Sequence, residues 1–206
     1  MKKIALLIAT VFATAIGAQA QQGQPSTTTP VTENPTNVKL NVILHPTLSV
    51  ELANYGNSGT LGHLEEADAV NLVYKTAADY TNGVSKTITN HLKATSIGSG
   101  FKINASASLD HLARTAGAGV ATMDGTKVTV KVGGGAAKVI RDLGQSAQDM
   151  GYVVGNNNST ASTVGEFIDV TYAAGSLSSA DVQNYLGANG NAARYTVNVV
   201  YTITAP

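Results

Sequence analysis

The chain of 206 residues contains no cysteine and no tryptophan. Without thiols it forms no disulfide, no Cys-ligated metal centre and no thiolate nucleophile, so burial and hydrogen bonding must hold the fold. Aromatic residues make up only 5% of the chain, which leaves few ring platforms on which a sugar or a base would stack. Charge is also thin, with thirteen Lys and Arg against thirteen Asp and Glu. A chain so balanced lacks the basic footprint of a nucleic-acid binder, and no nucleic acid is expected as a partner. Apart from one apolar run near its start, no stretch approaches the length of a membrane span.

Motif chemistry is absent too. His45, His63, His91 and His111 stand in no HExxH or HxH pattern. The densest acidic stretch, His63, Glu65, Glu66 and Asp68, offers metal-ligand types but reads more simply as a solvated turn. Gly133–Gly135 lacks the Lys and Ser/Thr of a phosphate loop and reads as a strand terminator. No G-x-S-x-G elbow presents a serine nucleophile. Asp142, Asp149 and Glu166 are the carboxylates available for a glycosidase pair, a chemistry defined by a separation that only a structure supplies. Two glycosylation sequons begin at Asn104 and Asn158, and they carry little weight. No catalytic residue, cofactor or metal is assigned, and the expectation is a protein that is not an enzyme.

What is present has a clear order. Lys2 and Lys3 precede an apolar run, Ile4 to Ile16, and Ala18-Gln19-Ala20 is a small-x-small cleavage site. Residues 1–20 therefore read as a signal peptide, which implies export to the cell surface or the extracellular space. Residues 21–37 are rich in Gln, Thr and Pro, have almost no apolar side chains, and read as a flexible arm. Residues 38–206 read as one domain. Abundant Thr, Ser, Val, Gly and Asn with little charge point to an all-β protein.

Period-two alternation supports that class. Val38, Leu40, Val42 and Leu44 share one face of a first strand, and Leu48, Val50 and Leu52 continue it beyond Pro46. Strands are expected within 69–76, after the Asn82-Gly83 turn, and at Phe101, Ile103, Ala105 and Ala107. A short helical turn is expected over 109–113. Asp124-Gly125 before Val128, Val130 and Val132 reads as the strongest hairpin signal. Residues 136–164 are weakly patterned, whereas Ile168, Val170 and Tyr172 alternate inward. Ser178 and Asp181 resemble a capping box opening one short helix near 178–187. A final strand aligns Tyr195, Val197, Val199, Tyr201 and Ile203. The Tyr172, Tyr195 and Tyr201 stripe reads as core and sandwich edge rather than as a sugar platform. The expected fold is an Ig-like antiparallel β-sandwich.

The leader, the Thr-rich arm, "NVKLNVIL" and the terminal "YTVNVVYTITAP" together resemble pilins of the chaperone–usher class, nearest the archaic, spore-coat-U-like branch. Two departures stand against the likeness: such pilins often carry a disulfide near the first strand, and this chain is long for a simple pilin. The resemblance implies a pilin-like, fimbrial structural protein of the cell surface. Its partners would be identical subunits and a periplasmic assembly chaperone. Physically, a sandwich that lacks a strand exposes an apolar groove and unpaired edge groups. The Val38–Leu44 segment of another subunit suits such a groove, and suits an ordinary first strand of its own sandwich equally. A second expectation is a monomeric sandwich that binds a host or matrix glycan through loops at 55–66 and 151–163. A secreted hydrolase is the third.

Overall fold

Alternating β-branched and polar residues give the chain its strands. The computed structural model describes residues 42–43, 46–57, 60–155, 162–187 and 191–206, and one compact unit runs from Ile43 to Pro206. The expected signal peptide, the arm and most of Val38–Leu44 lie outside the described residues, as does Asn158. Val42 is 78% exposed, and neither it nor Ile43 belongs to a strand.

The elements in order are β1 (Thr47–Leu52), α1 (Ala77–Asn82), β2 (Val84–Ile97), β3 (Phe101–Ala107), β4 (His111–Ala116), β5 (Thr122–Asp124), β6 (Val128–Val132) and β7 (Lys138–Val139). There follow α2 (Ile140–Leu143), β8 (Gln148–Val154), β9 (Thr163–Ala174), α3 (Ser179–Leu186), β10 (Arg194–Thr196) and β11 (Val199–Thr204). All pairings are antiparallel. The first layer is a sheet of order β1-β2-β9-β6-β7. The second has two halves, β11-β3-β8 and β10-β4-β5. They are joined where Ser108 donates its backbone N–H to the Asn198 carbonyl (2.9 Å) and its hydroxyl accepts from the Asn198 N–H (3.3 Å). The fold is thus an all-β antiparallel sandwich.

The inward rows pack as their alternation requires. Phe101, Ile103, Ala105 and Ala107 of β3 are buried, and so are Ile168, Val170 and Tyr172 of β9. The capping box of α3 forms as read: the Ser178 hydroxyl accepts from the Asp181 N–H, and the Asp181 carboxylate accepts from the Ser178 N–H. The Ser178 hydroxyl and then its backbone N–H, both donating to the Asp181 carboxylate (2.8 and 2.9 Å), with the Lys127 ammonium 3.0 Å away, hold the Asp181 carboxyl down at about 2.

Several expectations are corrected. Asp124-Gly125 makes no hairpin: β5 pairs with β4 in one layer and β6 with β9 in the other. A 3-10 turn, Gly125–Lys127, carries the chain between layers, and the Asp124 carboxylate caps the Thr126 N–H. Gly125 is required there, because a Cβ would lie 2.0 Å from the Asp110 carbonyl. In place of the helical turn expected over 109–113, a bend at 109–110 leads into β4 from His111, recruited by pairing on both sides with β5 and β10. Residues 136–164 contain β7, α2 and β8, whose short period obscured them. Besides the expected helix near 178–187 the described residues hold α1 and α2, and the expected Asn82-Gly83 turn closes α1 directly before β2. Residues 69–76 form no strand, since among the described residues they find no ladder partner. The terminal strand is divided in two at Val197 and Asn198, where the second layer bends.

Candidate functional site

The two long sides of the sandwich are finished differently. On one, Val130 and Val132 of β6, Ile140 and Leu143 of α2 and Met150 of β8 are at most 1% exposed. On the other, the edge strands β1 and β11 face each other across an incompletely filled seam. Residues opposite each other in a ladder share a face. Leu48, Val50 and Leu52 lie opposite Ser96, Ala94 and Leu92, which are buried, so this row of β1 also points inward. Yet Leu48 is 40% and Leu52 50% exposed. In the same way Val199, Tyr201 and Ile203 lie opposite Ala107, Ala105 and Ile103, all buried, but are themselves only half-buried.

The outer edge of β11 has no strand beside it among the described residues. Its polarity follows from the ladder. Ala107 donates its N–H away from β11, to the Gly144 carbonyl (2.7 Å), so Ala107 and Val199 form a non-hydrogen-bonded pair. The backbone N–H and C=O groups of Val199, Tyr201 and Ile203 therefore face the open edge. The same three residues send their side chains into the seam. An added strand would find both hydrogen-bond partners and an apolar surface there.

A buried polar chain crosses the interior beside the seam. His91 Nδ1 contacts the Asn54 carbonyl, a group that only accepts, so Nδ1 carries the proton and Nε2 is the acceptor. Tyr172 then donates to His91 Nε2 (2.9 Å), and Tyr201 donates to the Tyr172 hydroxyl (2.6 Å). This chain links β2 and β9 of the first layer to β11 of the second. Burial lowers the His91 pKa, partly offset by the Asn54 contact. Burial also pushes the Tyr172 phenol up to about 12 and Tyr201 higher still. The group is a neutral hydrogen-bonded strut.

A β-bulge aims His91 inward. The β2–β9 ladder breaks between Ile88 and Leu92, and Asn90 takes a left-handed φ of 55° while its N–H donates to the Asp169 carboxylate (2.9 Å). Motif reading passed over His91. The usable signal was Asn90, a residue that tolerates positive φ, inside an otherwise β-branched run.

Behind the seam lies a cavity of about 740 Å³ between the β4–β10 half, the ends of β6 and β9, and α3. Of the eight tyrosines, Tyr152 alone is not among its lining residues. Several hydroxyls are turned to backbone: Tyr195 donates to the Val120 and Tyr185 carbonyls (3.0 and 2.9 Å), and Tyr74 to Gly175 (2.5 Å). Those rings thus offer the cavity their apolar faces.

The five residues expected on the terminal face, Tyr195, Val197, Val199, Tyr201 and Ile203, all pack against the core. The candidate ligands and carboxylates do not converge. Glu65 pairs with Lys75 (3.5 Å) and Glu66 with Arg194 (2.5 Å). Glu166 accepts from Tyr152 (2.6 Å), while Asp149 faces Lys102 (3.9 Å). Among the described residues no three metal-ligating side chains cluster. His111 Nδ1 lies 2.6 Å from the Asp110 carboxylate at the surface, with no hydroxyl bonded to its other nitrogen among the described residues. Comparison with family models, curated proteins and solved structures finds no match.

Proposed function

We propose that this chain is an exported, non-catalytic structural or adhesive subunit of the cell surface that assembles by β-strand addition. The Val38–Leu44 segment of one copy would enter the seam of the next, beside β11. The observation that carries this reading is the pairing of an open β11 edge with incompletely covered inward rows, exposed Leu48 and Leu52 on one side and partly buried Val199, Tyr201 and Ile203 on the other. Unpaired edges are an aggregation hazard that proteins ordinarily blunt. Here the edge is apolar, and Val42 is itself exposed, with sequence neighbours that alternate as a donor strand must. A periplasmic chaperone would cover the same edge before assembly.

The test is electron microscopy and light scattering of the chain from Gln21 onward. Fibres or oligomers are expected, and Val42→Asp should abolish them, because it places a carboxylate in an apolar groove. A wild-type chain that stays monomeric at every concentration would falsify the reading. Monomer would instead favour the glycan- or matrix-binding alternative, whose supporting observation is the tyrosine-lined cavity with Tyr55 at its rim. A glycan array probed with monomer checks that alternative.

A further inference from the structure

Residues 69–75 lack a ladder yet retain the alternation of a strand. Val70, Leu72 and Tyr74 pack against the core cluster. Among the described residues no backbone group of Val70–Tyr74 has a backbone hydrogen-bond partner. The segment is held by polar fastenings at its two ends instead. At the first end, the Asn57 carboxamide donates to the Glu66, Ala67 and Ala69 carbonyls (3.2, 3.0 and 2.7 Å). Asn71 donates to the Glu66 carbonyl (2.8 Å) and accepts from the Glu66 N–H (3.1 Å). Lys86 of β2 donates to Asn57 Oδ1 (2.9 Å), and Arg194 of β10 holds the Glu66 carboxylate. At the other end, the Asp79 carboxylate accepts the N–H groups of Lys75 and Thr76 (2.7 and 2.6 Å).

The segment therefore runs from a first end tied to both β10 and β2 to a second end held by Asp79 of α1, and it lines the same cavity as Leu52, Val199 and Tyr201. Its apolar residues cover surface that a strand would cover, without the main-chain bonds that make a strand hard to remove. Detaching it costs side-chain hydrogen bonds, the Tyr74–Gly175 bond among them, partly exposed ion pairs, and the core contacts of Val70, Leu72 and Tyr74, which an incoming apolar row would replace. A strand pairing along β11 gains a full ladder in exchange.

We infer that Gly62–Lys75 is a displaceable strap, which partly plugs the seam of the free chain and lifts away when a strand from a second copy adds beside β11. This rests on the strand-addition reading above and supplies its regulation. The strap keeps free chains from pairing indiscriminately, and its polar fastenings set the rate of assembly.

The absence of cysteine and tryptophan gives clean probes. The acceptor is the full chain carrying Val42→Asp, so that it cannot itself donate, and the donor is a fluorescent synthetic peptide of sequence NVKLNVIL. Association is followed by fluorescence anisotropy. Loosening the clasp with Asn71→Ala should speed association about tenfold, from the loss of two or more hydrogen bonds. Glu65→Gln removes only the ion pair with Lys75 and should speed it about twofold, which keeps the test valid if Asn71→Ala fails to fold. In a Leu72→Cys chain the single thiol should react slowly with a maleimide and at least about tenfold faster once peptide is bound. Peptide that binds at one rate to all variants, with Leu72→Cys reactivity unchanged, overturns the strap and leaves strand addition standing. Peptide that binds none of them, loosened or not, overturns strand addition and the strap with it.

Discussion

The two sides of this sandwich are built from similar residues and reach different degrees of completion. Around β6, α2 and β8 the inward valines, isoleucine, leucine and methionine are sealed, because α2 and the short β7 cover the end of the first layer. Around β1 and β11 an inward row of the same chemical type stays half in water. The difference teaches that side-chain alternation specifies which face of a strand turns inward, not whether anything meets it there. Coverage is a property of neighbours. On the closed side the neighbours are local in sequence, α2 following β7 directly. On the open side the neighbour among the described residues is an extended segment, Val70–Tyr74, that packs without a ladder.

The largest effect that would break this comparison is a difference in truncation cost. Leu143→Ala, at a sealed position, should destabilise the chain by about 2–5 kcal/mol in urea unfolding, from lost transfer energy plus the cavity left behind. Leu52→Ala, at the seam, should cost about 1 kcal/mol or less, since half the side chain is already hydrated. Equal costs would mean that the seam is closed in solution. A smaller effect sharpens how the seam is braced. Tyr172→Phe should cost about 1–3 kcal/mol, because His91 Nε2 and the Tyr201 hydroxyl both lose their buried partner. Tyr201→Phe removes only the last donor of the chain and should cost about 1 kcal/mol. If the order is reversed, Tyr172 is not the middle link of the chain.

The smallest expected effect is in pH. His91 is held neutral in the fold, with its pKa lowered from its ordinary value of 6.5. The unfolded chain therefore binds a proton that the folded chain refuses. Stability from this group is complete above pH 6.5, falls as the pH drops from there toward the depressed folded value, and levels off below it. His91→Gln should flatten that part of the stability–pH curve, measured by thermal unfolding between pH 7.5 and about 5. An unchanged slope would show that His91 is hydrated in the fold, and would place water in the strut beside the seam.

Much of the architecture could be read along the chain. The rows of β3 and β9, the capping box of α3 and the terminal tyrosine–valine face all follow from local periodicity and capping chemistry, which act between residues a few positions apart. The site was less legible. Residues 69–76 have the alternation of a strand and are not one, because a strand is a pairing and pairing partners are remote. Asp124-Gly125 has the form of a hairpin turn and is a crossover, because Gly125 is needed for its approach to Asp110 across the fold.

By itself the sequence determined the class of fold, the faces of most strands, the position of α3 and the absence of thiol chemistry. Those depend on composition and on periods of two and of 3.6 residues. Only the tertiary structure decided which edge is open, how His91, Tyr172 and Tyr201 join three strands, and where the strap lies. These features arise from contacts between residues far apart in the chain, such as Asn54 with His91 and Tyr172 with Tyr201. Such contacts follow from the order of strands in the layers, and no local pattern encodes that order.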